Sequence, residues 1–92
     1  MTDIFFVKTP VALLDYKFDW SAWLASGETI NSAIVTKQGN ITLDHQTNDT
    51  TSVVAWLAGG DLNSSNIVTC QITTNQGRIS ERSINVYVQD LL

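Results

Sequence analysis

His45, the one histidine in the chain, adjoins Asp44, and a histidine beside a carboxylate is a starting point for general acid–base chemistry. Catalysis would need a nucleophile within reach. Ser64 and Ser65 lie in another loop, with no nucleophile elbow and no spaced metal pair around them. His45 is therefore read as a surface-loop histidine. Asp44, Asp49 and Asp61 carry the hard oxygens that calcium prefers, but their spacing matches no EF-hand loop, so they read as solvated turn residues. The Gly59-Gly60 pair lacks the Lys and Ser/Thr of a phosphate loop and reads as a turn. Cys70, the single cysteine, can neither close an internal disulfide nor hold zinc alone, which leaves it as a small core hydrophobe. No catalytic residue, metal ligand or cofactor site is assigned, and the chain is read as a non-enzyme.

The three tryptophans, Trp20, Trp23 and Trp56, offer a different chemistry. An exposed indole on a sheet can stack on a sugar ring, whereas a buried one contributes roughly 150 to 250 Å² to a small core. Core or subunit-interface roles are the first reading. A carbohydrate-binding module for cell-surface attachment is the alternative.

The elements that would position these residues are strands. Thr, Ser, Asn, Val and Ile are abundant, and apolar residues recur with a period of two. Val68, Cys70 and Ile72 alternate with polar neighbours, as do Ile84, Val86 and Val88, so the stretch from Ile67 to Val88 is predicted to be the central hairpin. Its join, Thr74-Asn75-Gln76-Gly77, fits a type I turn with a glycine bulge. Leu14, Tyr16, Phe18 and Trp20 share one side of an earlier strand. Asp19 is then expected to cap a short turn in which Trp20, Trp23 and Leu24 lie together. Ile30 to Val35 forms the next strand, with Ile30 and Ile34 expected inward. Gln38-Gly39-Asn40 is a turn, Ile41 to Leu43 a short strand, and the polar run from Asp44 to Thr50 an exposed connection. Ser52 to Ala58 is apolar on both faces, so Trp56 and Val54 need a cover from the tail, a loop or another subunit.

Arg78 and Arg82 interrupt the row that leads to Ile84. Either the start of their strand projects past the sandwich, or a bulge between Glu81 and Ser83 resets the faces. Arg82 can also lay its stem over the core and pair with Asp15 or Asp19. At the other end of the chain, Ile4, Phe5, Phe6 and Val7 make an apolar run closed by Pro10, which cannot continue a central strand. Residues 1–10 are read as an apolar N-terminal arm or edge strand, and residues 11–92 as a single domain. The whole is expected to be an all-β, immunoglobulin-like antiparallel β-sandwich of about seven strands. Ile4, Phe5, Phe6, Val7, Trp56, Arg78 and Arg82 are the candidate partner interface.

Charge narrows the partners. Nine acidic and five basic residues give a net charge of −4, with the basic residues dispersed, and such a surface repels a phosphate backbone. Nucleic acid is not an expected partner. A membrane is not one either, since no apolar run approaches the roughly 20 residues of a spanning helix. Met1 to Ile4 lacks the basic start of a secretory signal, so synthesis in the cytoplasm is expected.

Taken together, Leu14-Asp15-Tyr16, Phe18-Asp19-Trp20, Trp23-Leu24, Thr29-Ile30, Trp56-Leu57 with Gly59-Gly60, Ile72-Thr73-Thr74, Gly77-Arg78 and Glu81-Arg82-Ser83-Ile84 with Val86 carry a likeness. The chain resembles small immunoglobulin-like bacteriophage structural proteins of the fibre-to-tail adaptor family. It departs from that family at Asn66, where an aromatic residue often opens the penultimate strand, and in its apolar tail. The resemblance implies a virion structural protein of the tail region, made in the host cytoplasm. Its implied partners are other phage structural proteins, with a homo-oligomer in a virion ring or tail assembly as a further possibility.

Overall fold

A computed structural model describes residues 5–90, which form seven strands and no helix: β1 (Phe5–Lys8), β2 (Leu14–Asp19), β3 (Ile30–Gln38), β4 (Ile41–Asn48), β5 (Ser52–Gly59), β6 (Ser64–Thr74) and β7 (Ile79–Val88). They build two sheets, ordered β1-β7-β6-β3 and β2-β5-β4. Apart from β1, which runs parallel to β7, all paired strands are antiparallel. The strand orders are those of a constant-type immunoglobulin sandwich, except that the first strand lies beside the last rather than beside the second.

Alternation explains the core. Tyr16 and Phe18 of β2, Val53, Ala55 and Leu57 of β5, and Ile41 of β4 point from one sheet toward Val68, Cys70 and Ile72 of β6 and Ile84 and Val86 of β7 in the other. Trp20, just after β2, is fully buried among them. The central hairpin forms as its sequence dictates. Gly77 N–H donates to Thr74 O at 3.0 Å and Thr74 N–H to Arg78 O at 2.8 Å, with Gly77 at φ +80°, a turn closed by a left-handed glycine. Asp19 likewise receives the Ser21 N–H at 2.9 Å, and the N–H groups of Trp23 and Leu24 return to Trp20 O, giving a single turn.

Several expectations are corrected. Ile34 is 59% exposed and Val35 is buried, because an irregularity between Ile30 and Ser32 shifts the register and swaps the faces beyond it. Leu14 is 40% exposed, so the inward row of β2 begins at Tyr16. The polar run from Asp44 is not a connection as far as Asn48. It continues β4 as an edge strand whose backbone pairs with β5 while its side chains meet water. The connection shrinks to a tight turn in which Asp49 Oδ1 accepts the N–H groups of Thr51 and Ser52, both at 2.8 Å. No bulge interrupts β7 between Glu81 and Ser83, because its pairing with β6 runs unbroken from Ile79 to Val88. Arg82 stands opposite Cys70, at the rim of the core face.

Candidate protein-docking edge

The first strand buries its lysine and exposes its apolar residues. Phe5, Phe6 and Val7 are half-exposed, whereas Lys8 is only 1% exposed. The register accounts for this, since Phe6 and Lys8 lie opposite the inward residues Val86 and Val88. The ammonium of Lys8 donates to the carbonyls of Thr9, at 2.8 Å, and Gly59, and burial lowers its pKa from the ordinary lysine value. This pins the end of β1 to the end of β5, across the two sheets. Alternation places Lys8 on the side of Phe6, but only the fold reveals that this side is covered. On β1 itself, Phe5 stacks on Tyr87 with ring centroids 5.6 Å apart, and Phe6 packs on Tyr16 at 4.7 Å. Ile4 lies outside the described residues.

Exposed apolar surface is concentrated here. Of the ten exposed large hydrophobic residues among those described, six are Phe5, Phe6, Val7, Val11, Leu13 and Leu14. Exposed apolar surface gathered in this way makes the segment the candidate interaction surface. The other interface candidates are already engaged within the chain. Arg78 grips Glu28 through two hydrogen bonds, from Nε to Oε2 at 2.8 Å and from Nη2 to Oε1, while its guanidinium covers the ring of Trp23 at 4.0 Å. The Glu28 side chain is 1% exposed and also accepts from Thr74 Oγ1 at 2.7 Å and Ala25 N–H at 3.0 Å. The Arg78 guanidinium, followed by these two donors, lowers the Glu28 pKa to about 2. Glu28 was not singled out from the sequence, since its partners Thr74 and Arg78 are about fifty positions away and no local pattern marks it.

Arg82 lies over the ring of Trp20 at 4.8 Å and donates to the backbone carbonyl of Asp19, rather than to the carboxylate of Asp15 or Asp19. Trp56, on the outer face of β5, is covered on one side by His45, whose ring stacks at 5.1 Å. The three tryptophans are thus buried, lidded by Arg78 and lidded by His45, and they do not form one sugar-stacking platform.

Nor do the candidate chemical groups meet. His45 Nδ1 contacts Asp44 Oδ2 at 2.7 Å on β4, while Ser64 lies on β6 in the other sheet and accepts from Asn66 Nδ2 at 3.1 Å. Asp49 caps its turn and Asp61 accepts from Asn40. Among the described residues no group of three or more His, Cys, Asp or Glu side chains is placed to hold a metal ion. Burial raises the Cys70 thiol pKa to about 12, which makes it inert as a nucleophile in the folded chain.

A groove of about 250 Å³ opens between β2 and β7 beside the end of β1. Phe6, Tyr16, Phe18 and Ile84 supply its apolar lining, and Lys17, Asp19, Arg82 and Ser83 complete it. The geometry is that of an apolar edge with polar margins.

A family model described as podophage GP4 fiber-tail adaptor protein gp77 matches residues 8–87. No curated protein matches the chain.

Proposed function

The chain belongs to the podophage GP4 fiber-tail adaptor family, and we propose that it works in the virion as a non-enzymatic adaptor, fastening a fibre to the tail by protein–protein contact. The observation that carries this reading beyond the family match is the concentration of exposed apolar residues between Phe5 and Leu14 on a sandwich whose potential catalytic groups stay apart. Phe5, Phe6 and Val7 form the leading part of the interface, with Ile4 assigned to it from the sequence. Trp56, Arg78 and Arg82 contribute at its margins through whatever surface His45, Glu28 and Trp20 leave open. In this reading residues 1–10 act as an arm and residues 11–92 as one domain. The protein is made in the host cytoplasm, assembles without nucleic acid or membrane, and occupies repeated positions at the tail.

A phage carrying a nonsense mutation in this gene tests the proposal. Particles should assemble heads and tails but lack fibres by negative-stain microscopy and fail to adsorb, and supplying the protein in trans should restore both. A full complement of fibres on the mutant particles would contradict it.

A further inference from the structure

Among the described residues, the upper half of β7 is an open edge. β1 pairs only with the stretch from Asn85 to Val88, and no described strand lies across Ile79 to Ile84. Gln89 N–H donates to Lys8 O at 3.0 Å, so the backbone of odd-numbered residues turns toward β1, while Val88 O on the other side accepts from Asn63 N–H. By alternation, the N–H and C=O groups of Ile79, Glu81 and Ser83 face outward along the same edge. The edges formed by β2, β3 and β4 carry the usual guards against strand addition. Register irregularities break β3 after Ile30 and β4 after Leu43, and charged residues alternate along β2 at Asp15, Lys17 and Asp19. β7 has no such break and contains no proline.

The groove adjoins this edge, and its lining specifies what it can accept. Phe6, Tyr16, Phe18 and Ile84 would receive an apolar side chain. The Tyr16 hydroxyl is buried and finds no hydrogen-bond partner among the described residues. Lys17 and Arg82 sit at the margin, and neither reaches a carboxylate at ion-pair distance. The ion pairs among the described residues are those of Arg78 with Glu28 and His45 with Asp44. The Asp19 carboxylate turns away to the Ser21 N–H.

We propose that the open edge of β7 and its groove receive an extended segment of another virion protein by β-augmentation, with an apolar side chain in the groove and a carboxylate between Lys17 and Arg82. Backbone pairing with Glu81 and Ser83 supplies the general affinity, and the groove and the two cations select the segment. Lys17 and Arg82 act on the Asp19 carboxylate from beyond ion-pair distance, and with two cations to that one carboxylate the groove lining keeps a local positive excess, to which an acidic, apolar strand is complementary. The inference rests on the adaptor reading and names the kind of contact it uses.

The test uses the full chain in assembling phage. A photo-reactive amino acid is placed at Ser83, with a control at Thr36 on the edge of β3, and the cross-linked peptides from irradiated virions are sequenced. Cross-links from position 83, and not from 36, should fall on a segment of another virion protein that combines apolar and acidic residues. In parallel, Glu81→Pro removes one outward N–H and Lys17→Glu reverses one cation. Each should lower the copies per virion by about tenfold, the scale of one lost hydrogen bond or ion pair at an interface, while the purified variants keep the wild-type circular dichroism spectrum. Cross-links confined to other copies of this chain or to its own first residues, or normal incorporation of both variants, would overturn the inference. If the wild-type protein is missing from virions, the adaptor reading itself fails, an outcome separate from these.

Discussion

Glu28 is a carboxylate almost fully removed from water, and two elements meet on it: the turn after Trp20, through Ala25, and the tip of the β6–β7 hairpin, through Thr74 and Arg78. A carboxyl held at about pKa 2 when folded and near 4.5 when unfolded binds fewer protons in the folded state at intermediate pH. Its contribution to stability is therefore complete above about pH 4.5 and is lost as pH falls toward about 2. Arg78→Ala should lower the melting temperature at pH 7 and flatten the loss of stability between those two values, as followed by circular dichroism. An acid limb unchanged by the substitution would show that another carboxyl controls it. At Cys70, burial keeps the thiol protonated near neutrality. It should not react with Ellman's reagent in the native protein, and it should react fully once denatured. The two differ in how far local sequence foretells them. Cys70 was legible as a packing residue from its place between Val68 and Ile72, but Glu28 depends on partners that only the closed sandwich brings to it.

Among the elements, the β6–β7 hairpin and its turn were legible, because alternation and a glycine-closed turn are local signals, although β6 begins at Ser64, within the stretch read as a loop, and β7 runs without the bulge offered for it. The two register irregularities were not, since a bulge is a relation between a strand and its partner. Their consequence can be measured at β3. Val35→Ala should cost about 1 to 3 kcal/mol in urea unfolding, the scale of burying one valine, whereas Ile34→Ala should stay within about 0.5 kcal/mol. The reverse order would restore the uninterrupted alternation. β4 escaped notice beyond Leu43 because an edge strand pairs through its backbone and can carry any polar side chain outward. A second junction was equally hidden. Asn66, fully buried, accepts the Ile41 N–H at 3.2 Å and donates to Val86 O at 3.2 Å, joining the start of β4 to β6 and β7. Gly39 makes room for it, since a Cβ there would fall 2.1 Å from Asn66 Oδ1 at a φ of +111°. Gly39→Ala should therefore destabilise the fold by about 2 to 4 kcal/mol in the same measurement.

On the scale of the whole molecule, the sandwich gathers exposed apolar residues between Phe5 and Leu14, and in the adaptor reading proposed above this edge is the docking surface. Stability and assembly should then be separable. The double variant Phe5→Ser with Val7→Ser removes exposed apolar surface and should shift the melting temperature by only a few degrees. It should nonetheless be depleted from particles. The fold class and the family were readable from the pattern of strands and the motifs between Leu14 and Val86. The location of the exposed edge was readable only as an apolar run, because the sequence does not state that β1 lies parallel to β7 along Asn85 to Val88. The most direct measurement is cryo-electron microscopy of the purified virion, with its protein content checked by mass spectrometry. Copies of this sandwich should occupy the junction between tail and fibre, and particles that contain no copy of the protein would contradict the account.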